Sequence, residues 1–218
     1  TGITAGFAVA FVLMVLIGGR VTPAFSRNWL MKRGVRTLPA QFGIIDKTAL
    51  ALSVVTALAW IGLGESTVTG ILAAITSLAV LARLSRWQAW AVRGEPLLLA
   101  QHVAYLWLAV AMTLLALSAL SDLATQSQVR HAMGAGAVGS MTLIVMLRAA
   151  LGHSGRAIRG NAGDWLLFAA VHVGATLRVL SGGMDDPTLA LNTAGILWAI
   201  AFLLFAARTI PIALTPRQ

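Results

Sequence analysis

The sequence contains four histidines and no cysteine. Neutral imidazole is a common protein ligand for haem iron and a good ligand for copper. The lack of cysteine excludes disulfides, iron–sulfur clusters, thiolate-ligated haem and thiol nucleophiles. Histidine ligation of haem or a metal is therefore the chemistry that these residue types allow, and a helix–helix hydrogen bond is the alternative for any single histidine. The four residues are His102, His131, His153 and His172.

The composition places these histidines in a membrane protein. Of the 218 residues, 58% are hydrophobic and 11% are charged, and the mean hydropathy is +0.85. A soluble domain carries about 25% charged residues, so this chain cannot cover itself with a polar surface and must contact membrane lipid. The net charge of +9 is typical of cytoplasmic loops in such a protein. We expect no nucleic-acid partner.

Seven apolar runs have the length of a transmembrane helix, which needs about 20 residues to cross a hydrocarbon layer of about 30 Å. Pro23 is expected to kink or end the first helix, and residues 64–66 are expected to form a tight helical hairpin. The predicted fold class is all-α, a polytopic transmembrane helix bundle that forms one domain over residues 1–218. The runs lie near residues 3–22, 44–63, 66–84, 97–121, 131–151, 164–181 and 188–207.

The basic residues predict the orientation of the bundle. If the seven spans alternate, 14 of the 16 basic residues lie on one side, and only Arg130 and Arg178 lie on the other. The side with excess positive charge is cytoplasmic, so the chain starts outside and ends inside. The 14 residues are Arg20, Arg27, Lys32, Arg33, Arg36, Lys47, Arg83, Arg86, Arg93, Arg148, Arg156, Arg159, Arg208 and Arg217.

This topology separates the histidines by depth. At 1.5 Å per residue, His102 lies about 9 Å and His172 about 12 Å below the cytoplasmic surface. Because they lie at similar depth on different helices, they have the arrangement that an axially ligated haem needs. His131 begins the fifth span and His153 ends it, about 33 Å away along a helix. These two residues cannot ligate one atom, so they belong to different sites.

Several neighbouring residues have both a functional and a packing interpretation. Tyr105 follows His102 at i+3 and either orients its imidazole or simply packs. Arg148 and Arg20 either neutralise a haem propionate or extend their charged ends to the membrane surface. Small residues in the fifth span allow close helix packing or the approach of a flat cofactor. These are Gly134, Gly136 and Gly139.

Three segments in this order resemble conserved motifs of the NnrS family. They are GGRVTPAFSRNWL at 18–30, LLLAQHVAYLWLA at 97–109 and HAMGAGAVGSMTLIVMLRAALGHSGR at 131–156. Ser26 stands where a threonine is common in the family. The motif positions that match are Arg20, Pro23, His102, Tyr105, His131, Gly139, Arg148, His153 and Arg156, whereas His172 lies outside the motifs and depends on its depth alone.

The resemblance implies a bacterial inner-membrane protein of about twelve spans that contains b-type haem and copper and handles nitric oxide or protects against nitrosative stress. The chain resembles the C-terminal seven spans of such proteins. The N-terminal half of the same protein, or a partner chain, is therefore expected to complete the cofactor sites. His102, His131 and His153 are the candidate metal ligands, and nitric oxide or a related small molecule is the expected ligand.

Two other functions remain open. A cytochrome b-type electron-transfer subunit would use His102 with His172 as haem ligands. A transporter or permease is disfavoured because the acidic residues lie near the ends of the spans rather than in their interiors. No motif indicates a reaction, so the sequence leaves open whether the protein is an enzyme.

Overall fold

The computed structural model describes residues 2–217, and every regular element in that range is helical. Seven of the helices are long and apolar enough to cross a membrane, which confirms the predicted all-α bundle. A π-helical segment, Ala132–Gly139, joins α5 to α6, so that Gln126–His153 forms one continuous fifth span. The α-helices are α1 (Gly2–Met31), α2 (Ile44–Leu63), α3 (Thr67–Ser85), α4 (Pro96–Leu120), α5 (Gln126–His131), α6 (Ser140–His153), α7 (Ala162–Leu180) and α8 (Thr188–Leu214).

Helix α1 is longer than the first apolar run, because it continues through Pro23 to Met31. The expectation that Pro23 ends the helix is therefore wrong. Proline has no backbone N–H, so the carbonyl of Gly19, four residues earlier, loses its helical donor. The side chain of Arg83 on α3 replaces that donor, with its Nη2 donating to the Gly19 oxygen at 3.0 Å.

Helices α2 and α3 form the predicted tight hairpin. Gly64 adopts a φ of 61°, a conformation that glycine reaches at low cost. Ser66 then caps α3 by accepting a hydrogen bond from the Thr69 N–H at 3.2 Å. Near the middle of the hairpin, the hydroxyls of Thr56 and Thr76 form a buried hydrogen bond of 2.7 Å between the two helices.

Helix α4 is the central helix of the bundle. It contacts α1, α3, the fifth span and α7, and buried residues occur on all its faces. The Ser77 hydroxyl of α3 donates to the backbone oxygen of Ala109 on α4 at 2.9 Å. Helix α8 is peripheral, since only Ala194, Ala201 and Ile212 of its residues are buried. The central position of α4 places His102 and Tyr105 inside the protein.

The glycines of the fifth span lie against aromatic rings. A Cβ atom at Gly136 would overlap the indole of Trp107, and a Cβ at Gly139 would lie 2.8 Å from the indole of Trp198. Gly134 faces the ring of Phe7 on α1. Close packing against aromatic side chains therefore accounts for all three glycines.

Candidate functional site

His131 lines a cavity at the predicted outer end of the fifth span. The cavity has a volume of about 460 Å³, within the range of small-molecule sites. The π-helical segment begins at the next residue, and such segments occur frequently at functional sites. The lining residues are His131, Ala135, Arg178, Leu191, Ala194, Gly195 and Trp198.

Three polar groups meet at this outer cavity. The imidazole of His131 is half-buried. The guanidinium of Arg178 donates to the Ser181 hydroxyl at 3.2 Å through one Nη, which leaves its other N–H groups for an anionic group. The indole Nε1 of Trp198 is buried and has no hydrogen-bond partner among residues 2–217. The cavity thus offers a metal ligand and a cation in one place, and the indole of Trp198 forms part of its wall.

His172 is held by a tryptophan on the neighbouring helix. The indole Nε1–H of Trp107 donates to Nδ1 of His172 at 3.3 Å, so the neutral ring carries its proton on Nε2. That Nε2 atom is buried, with no hydrogen-bond partner in the described part of the chain. A protonated ring nitrogen cannot ligate a metal, so ligation by His172 requires the Trp107 contact to break.

His102 is buried beside a different set of groups. Its Nδ1 lies 2.9 Å from the backbone oxygen of Leu98, and its Nε2 lies 3.3 Å from that of Trp87. Neither nitrogen faces open space, because only 3% of the residue is exposed. Ligation of iron or copper by His102 would therefore require displacement of one of these carbonyl contacts.

The structure does not bring His102 and His172 to one face of α4. His172 contacts Trp107, which follows His102 by five residues on α4. Five residues of an α-helix correspond to a rotation of about 140° beyond one full turn. The two histidines therefore lie on different sides of α4, and their role as ligands stays a prediction.

Tyr105 binds an arginine rather than His102. Its hydroxyl accepts a hydrogen bond from Nη1 of Arg83 at 3.0 Å. Its ring packs against that of Trp87, with 4.5 Å between the ring centroids. The phenol therefore belongs to the polar cluster around Arg83, and the two backbone carbonyls orient the imidazole of His102.

Arg83 is the polar residue of the interior that sequence reasoning missed. It is 1% exposed, and its Nε donates to Asp46 Oδ1 at 2.7 Å. Nη1 also donates to the Val15 carbonyl at 2.7 Å, and a Cβ at Gly19 would overlap the guanidinium. The signal in the sequence is the Gly18–Gly19 pair before Pro23, which provides both the space and the free carbonyl.

At the predicted cytoplasmic end of the fifth span, His153 and Arg148 have different surroundings. His153 is exposed at the end of α6. Arg148 is half-buried, with its guanidinium 4.0 Å from the centroid of the Phe25 ring, and it lines a cavity that does not include His153. Arg20 is exposed and lies over the ring of Phe42 at 5.0 Å, as expected for a side chain that reaches the membrane surface.

No group of three histidine, aspartate or glutamate residues within residues 2–217 has the geometry of a metal site. Met133 and Met141 are buried in the apolar core, where methionine fills gaps in the packing, and Met146 is 51% exposed. Within residues 2–217, none of the candidate histidines thus belongs to a three-residue group of this kind.

The model of the NnrS protein family matches residues 1–217. No curated protein matches the chain, and no solved structure matches it. The family match covers nearly all of the chain and joins the three motif segments in one alignment. Together with the seven membrane-type helices, it supports a multi-pass membrane protein of the nitric oxide response. The chain belongs to the NnrS family.

Proposed function

We propose that this chain forms part of a bacterial inner-membrane protein that binds haem and copper and protects the cell against nitric oxide. The observation that carries the proposal is the family match over residues 1–217. The excess of basic residues on one side of the bundle supports insertion in an inner membrane with that side in the cytoplasm.

The outer cavity is the part of this chain that best fits a haem. His131 lines the cavity, and its imidazole would hold the haem iron. Arg178 lines the same cavity as His131, and its guanidinium can pair with a propionate. Haem bound here would supply an iron atom that can bind nitric oxide. A second protein segment would supply any further ligand.

The predicted cytoplasmic end of the bundle provides only part of a site for a separate metal. His153 is exposed at the end of α6 and provides a single imidazole, which is a good copper ligand but does not form a site alone. We propose His153 as one copper ligand, with the remainder contributed by the N-terminal half of the same protein or by a partner chain. His102 and His172 would first have to leave their present hydrogen bonds.

The test compares His131→Ala with His153→Ala in the purified full-length protein. The absorption spectrum reports haem through its Soret band, and elemental analysis reports copper. We expect His131→Ala to remove most of the Soret absorbance, because the cavity loses its ligand, and His153→Ala to retain it and to lower the copper content. The two variants delete the same side chain from the two ends of one span, so each controls for the other.

The assignment of sites is wrong if both variants abolish the same spectral band while the protein remains folded. The proposal as a whole is wrong if the wild-type full-length protein shows neither a Soret band nor bound copper. Size-exclusion chromatography of each variant distinguishes loss of a ligand from loss of the fold.

The two other functions gain no support from the geometry. The electron-transfer hypothesis depends on a haem between His102 and His172. His102 points from α4 towards Trp87, whereas His172 contacts Trp107 on a different side of α4. Ion-coupled transporters commonly use acidic residues that face a path through the membrane. The buried acid of α2, Asp46, is instead paired with Arg83 and Arg86.

A further inference from the structure

A second cavity lies at the predicted cytoplasmic end of the bundle, where α1, α6 and the loop after α6 meet. Its volume is about 580 Å³. Apolar residues form part of the wall, among them Phe25, Trp29 and Leu98. Five side chains of the wall are cationic and one is anionic. The cationic residues are Lys32, Arg33, Arg148, Arg156 and Arg159, and the acid is Glu95.

The single acid does not neutralise this cluster. Glu95 is 3% exposed, and its Oε1 accepts a hydrogen bond from the Gly160 N–H at 2.7 Å. The ion pairs of residues 2–217 join Arg83 and Arg86 to Asp46, and Arg208 to Asp164. None of them involves a cation of the cavity, so its wall carries an excess of four positive charges.

Two of the arginines have buried donors without partners. Nε of Arg148 and Nη1 of Arg156 are both buried, and neither donates to any residue in the range 2–217. A buried N–H without an acceptor costs free energy, and guanidinium groups bind phosphate through paired, charge-assisted hydrogen bonds. The unused donors therefore point to an anionic ligand.

Aromatic rings hold two of the cations in place. The guanidinium of Arg148 lies 4.0 Å from the centroid of the Phe25 ring, and that of Arg33 lies 3.6 Å from the Trp29 ring. A cation stacked on an aromatic face loses part of its freedom. These side chains are thus already arranged before a ligand binds, which increases affinity.

We propose that this cavity binds the phosphate headgroup of an anionic phospholipid from the cytoplasmic leaflet. The cavity lies at the end of the membrane-spanning helices, and its wall combines apolar residues with arginines. Basic pockets between helices on this side of a membrane are suited to anionic headgroups. The phosphate accepts hydrogen bonds from Arg148 and Arg156, and the acyl chains lie along the apolar surface of the bundle.

The test uses the full-length protein, purified and delipidated in a neutral detergent. Its thermal unfolding is followed while phosphatidylglycerol, phosphatidylcholine or inorganic phosphate is added. The double variant Arg148→Gln/Arg156→Gln removes the two guanidinium groups that carry the unpartnered donors, Nε of Arg148 and Nη1 of Arg156. The double variant Arg36→Gln/Arg217→Gln removes the same charge from exposed positions outside the cavity and serves as the matched control.

We expect phosphatidylglycerol to raise the unfolding temperature of the wild type more than phosphatidylcholine does. The affinity for phosphatidylglycerol should fall by at least about tenfold in Arg148→Gln/Arg156→Gln, because each lost charge-assisted pair weakens binding considerably. The control variant should keep the wild-type affinity. Inorganic phosphate should stabilise the protein only weakly, because it lacks the apolar chains.

Several results would overturn the proposal. One is equal stabilisation by the two lipids, and another is an equal loss of affinity in the control variant. Equal stabilisation by inorganic phosphate would assign the cavity to a soluble phosphate. Loss of Soret absorbance from Arg148→Gln/Arg156→Gln with unchanged lipid affinity would assign it to haem propionates. If the double variant does not fold, Arg156→Gln alone takes its place, and it should weaken lipid binding in the same direction.

Discussion

At the scale of single residues, the Arg83 side chain shows how the bundle tolerates a buried charge. Removal of two charges from water costs several kcal/mol each, and their attraction offsets this cost only when the remaining hydrogen-bonding groups are also satisfied. Every nitrogen of the Arg83 guanidinium donates a hydrogen bond. The acceptors are Asp46, Val15, Gly19 and Tyr105. The residue thereby connects α1, α2, α3 and α4.

We predict that Arg83→Gln lowers the free energy of unfolding by about 3–5 kcal/mol, the usual cost of removing one partner from a buried ion pair. Thermal unfolding of the detergent-solubilised protein measures the change. Arg86→Gln is the matched control, because Arg86 binds the same carboxylate at 3.1 Å but is 26% exposed. The control should cost less than about 1 kcal/mol. Equal losses in the two variants would contradict a special role for Arg83.

At the scale of the elements, the fifth span contains both α-helix and π-helix. The π-helical segment Ala132–Gly139 lies between two α-helical parts of one span. It contacts α1, α4 and α7, and aromatic side chains of other helices pack against its glycines. The segment determines the rotation of His131 about the helix axis relative to Arg148. It therefore controls whether the imidazole faces the outer cavity.

Deletion of Ala135 is expected to convert this segment towards α-helix and to rotate His131 by about 100° relative to α6. The imidazole then leaves the outer cavity, so the Soret absorbance per protein should fall to the level of His131→Ala. Absorption spectroscopy of the full-length protein measures the effect. Deletion of Ala157 in the exposed loop after α6 is the control, and it should retain the Soret band. An unchanged spectrum after deletion of Ala135 would show that the winding does not position the ligand.

The elements were predictable from the sequence to different degrees. Each span was visible because an apolar run of about 20 residues has few alternatives to a transmembrane helix. The end of α1 was not, because a helix can continue into the headgroup region with polar residues such as Arg27 and Asn28, where hydropathy no longer marks it. The π winding of Ala132–Gly139 was also not predictable, since the contacts of its glycines with Trp107 and Trp198 arise only in the folded bundle.

The candidate site was predictable in depth but not in direction. Counting residues correctly placed His131 and His153 at opposite ends of one span. The same counting suggested a pair between His102 and His172. A residue count gives the depth of a side chain in the membrane, but it does not show which neighbouring helix that side chain faces. The contacts to Trp87 and Trp107 depend on how α4 is rotated in the bundle, and this follows from the packing of the surrounding helices.

At the scale of the whole molecule, the basic residues predict a single orientation. The connections after α1, α3 and α6 lie on the side with excess positive charge, and those after α2, α4 and α7 lie on the other. Because the sequence has no cysteine, a single introduced thiol reports the side on which it lies without any other change to the chain.

We predict that Leu123→Cys reacts with a membrane-impermeant maleimide in intact spheroplasts and that Ile158→Cys reacts only after permeabilisation. Both positions are exposed, at 78% and 45% respectively. Gel mobility after labelling measures the reaction, and the same protein without the introduced thiol is the control. Labelling of Ile158→Cys from outside would reverse the orientation or change the number of spans.

The cluster around Arg83 also has a consequence for the order of biosynthesis. Gly19 precedes its partner Arg83 by 64 residues, which a ribosome translates in roughly 3–13 s at typical rates. During this interval α1 has a carbonyl that Pro23 has deprived of its donor, and α2 has a carboxylate without its arginine. The early helices therefore enter the bilayer before their polar groups can be satisfied. They reach their final positions only after later helices have been made, so insertion and folding of this protein are separate events in time.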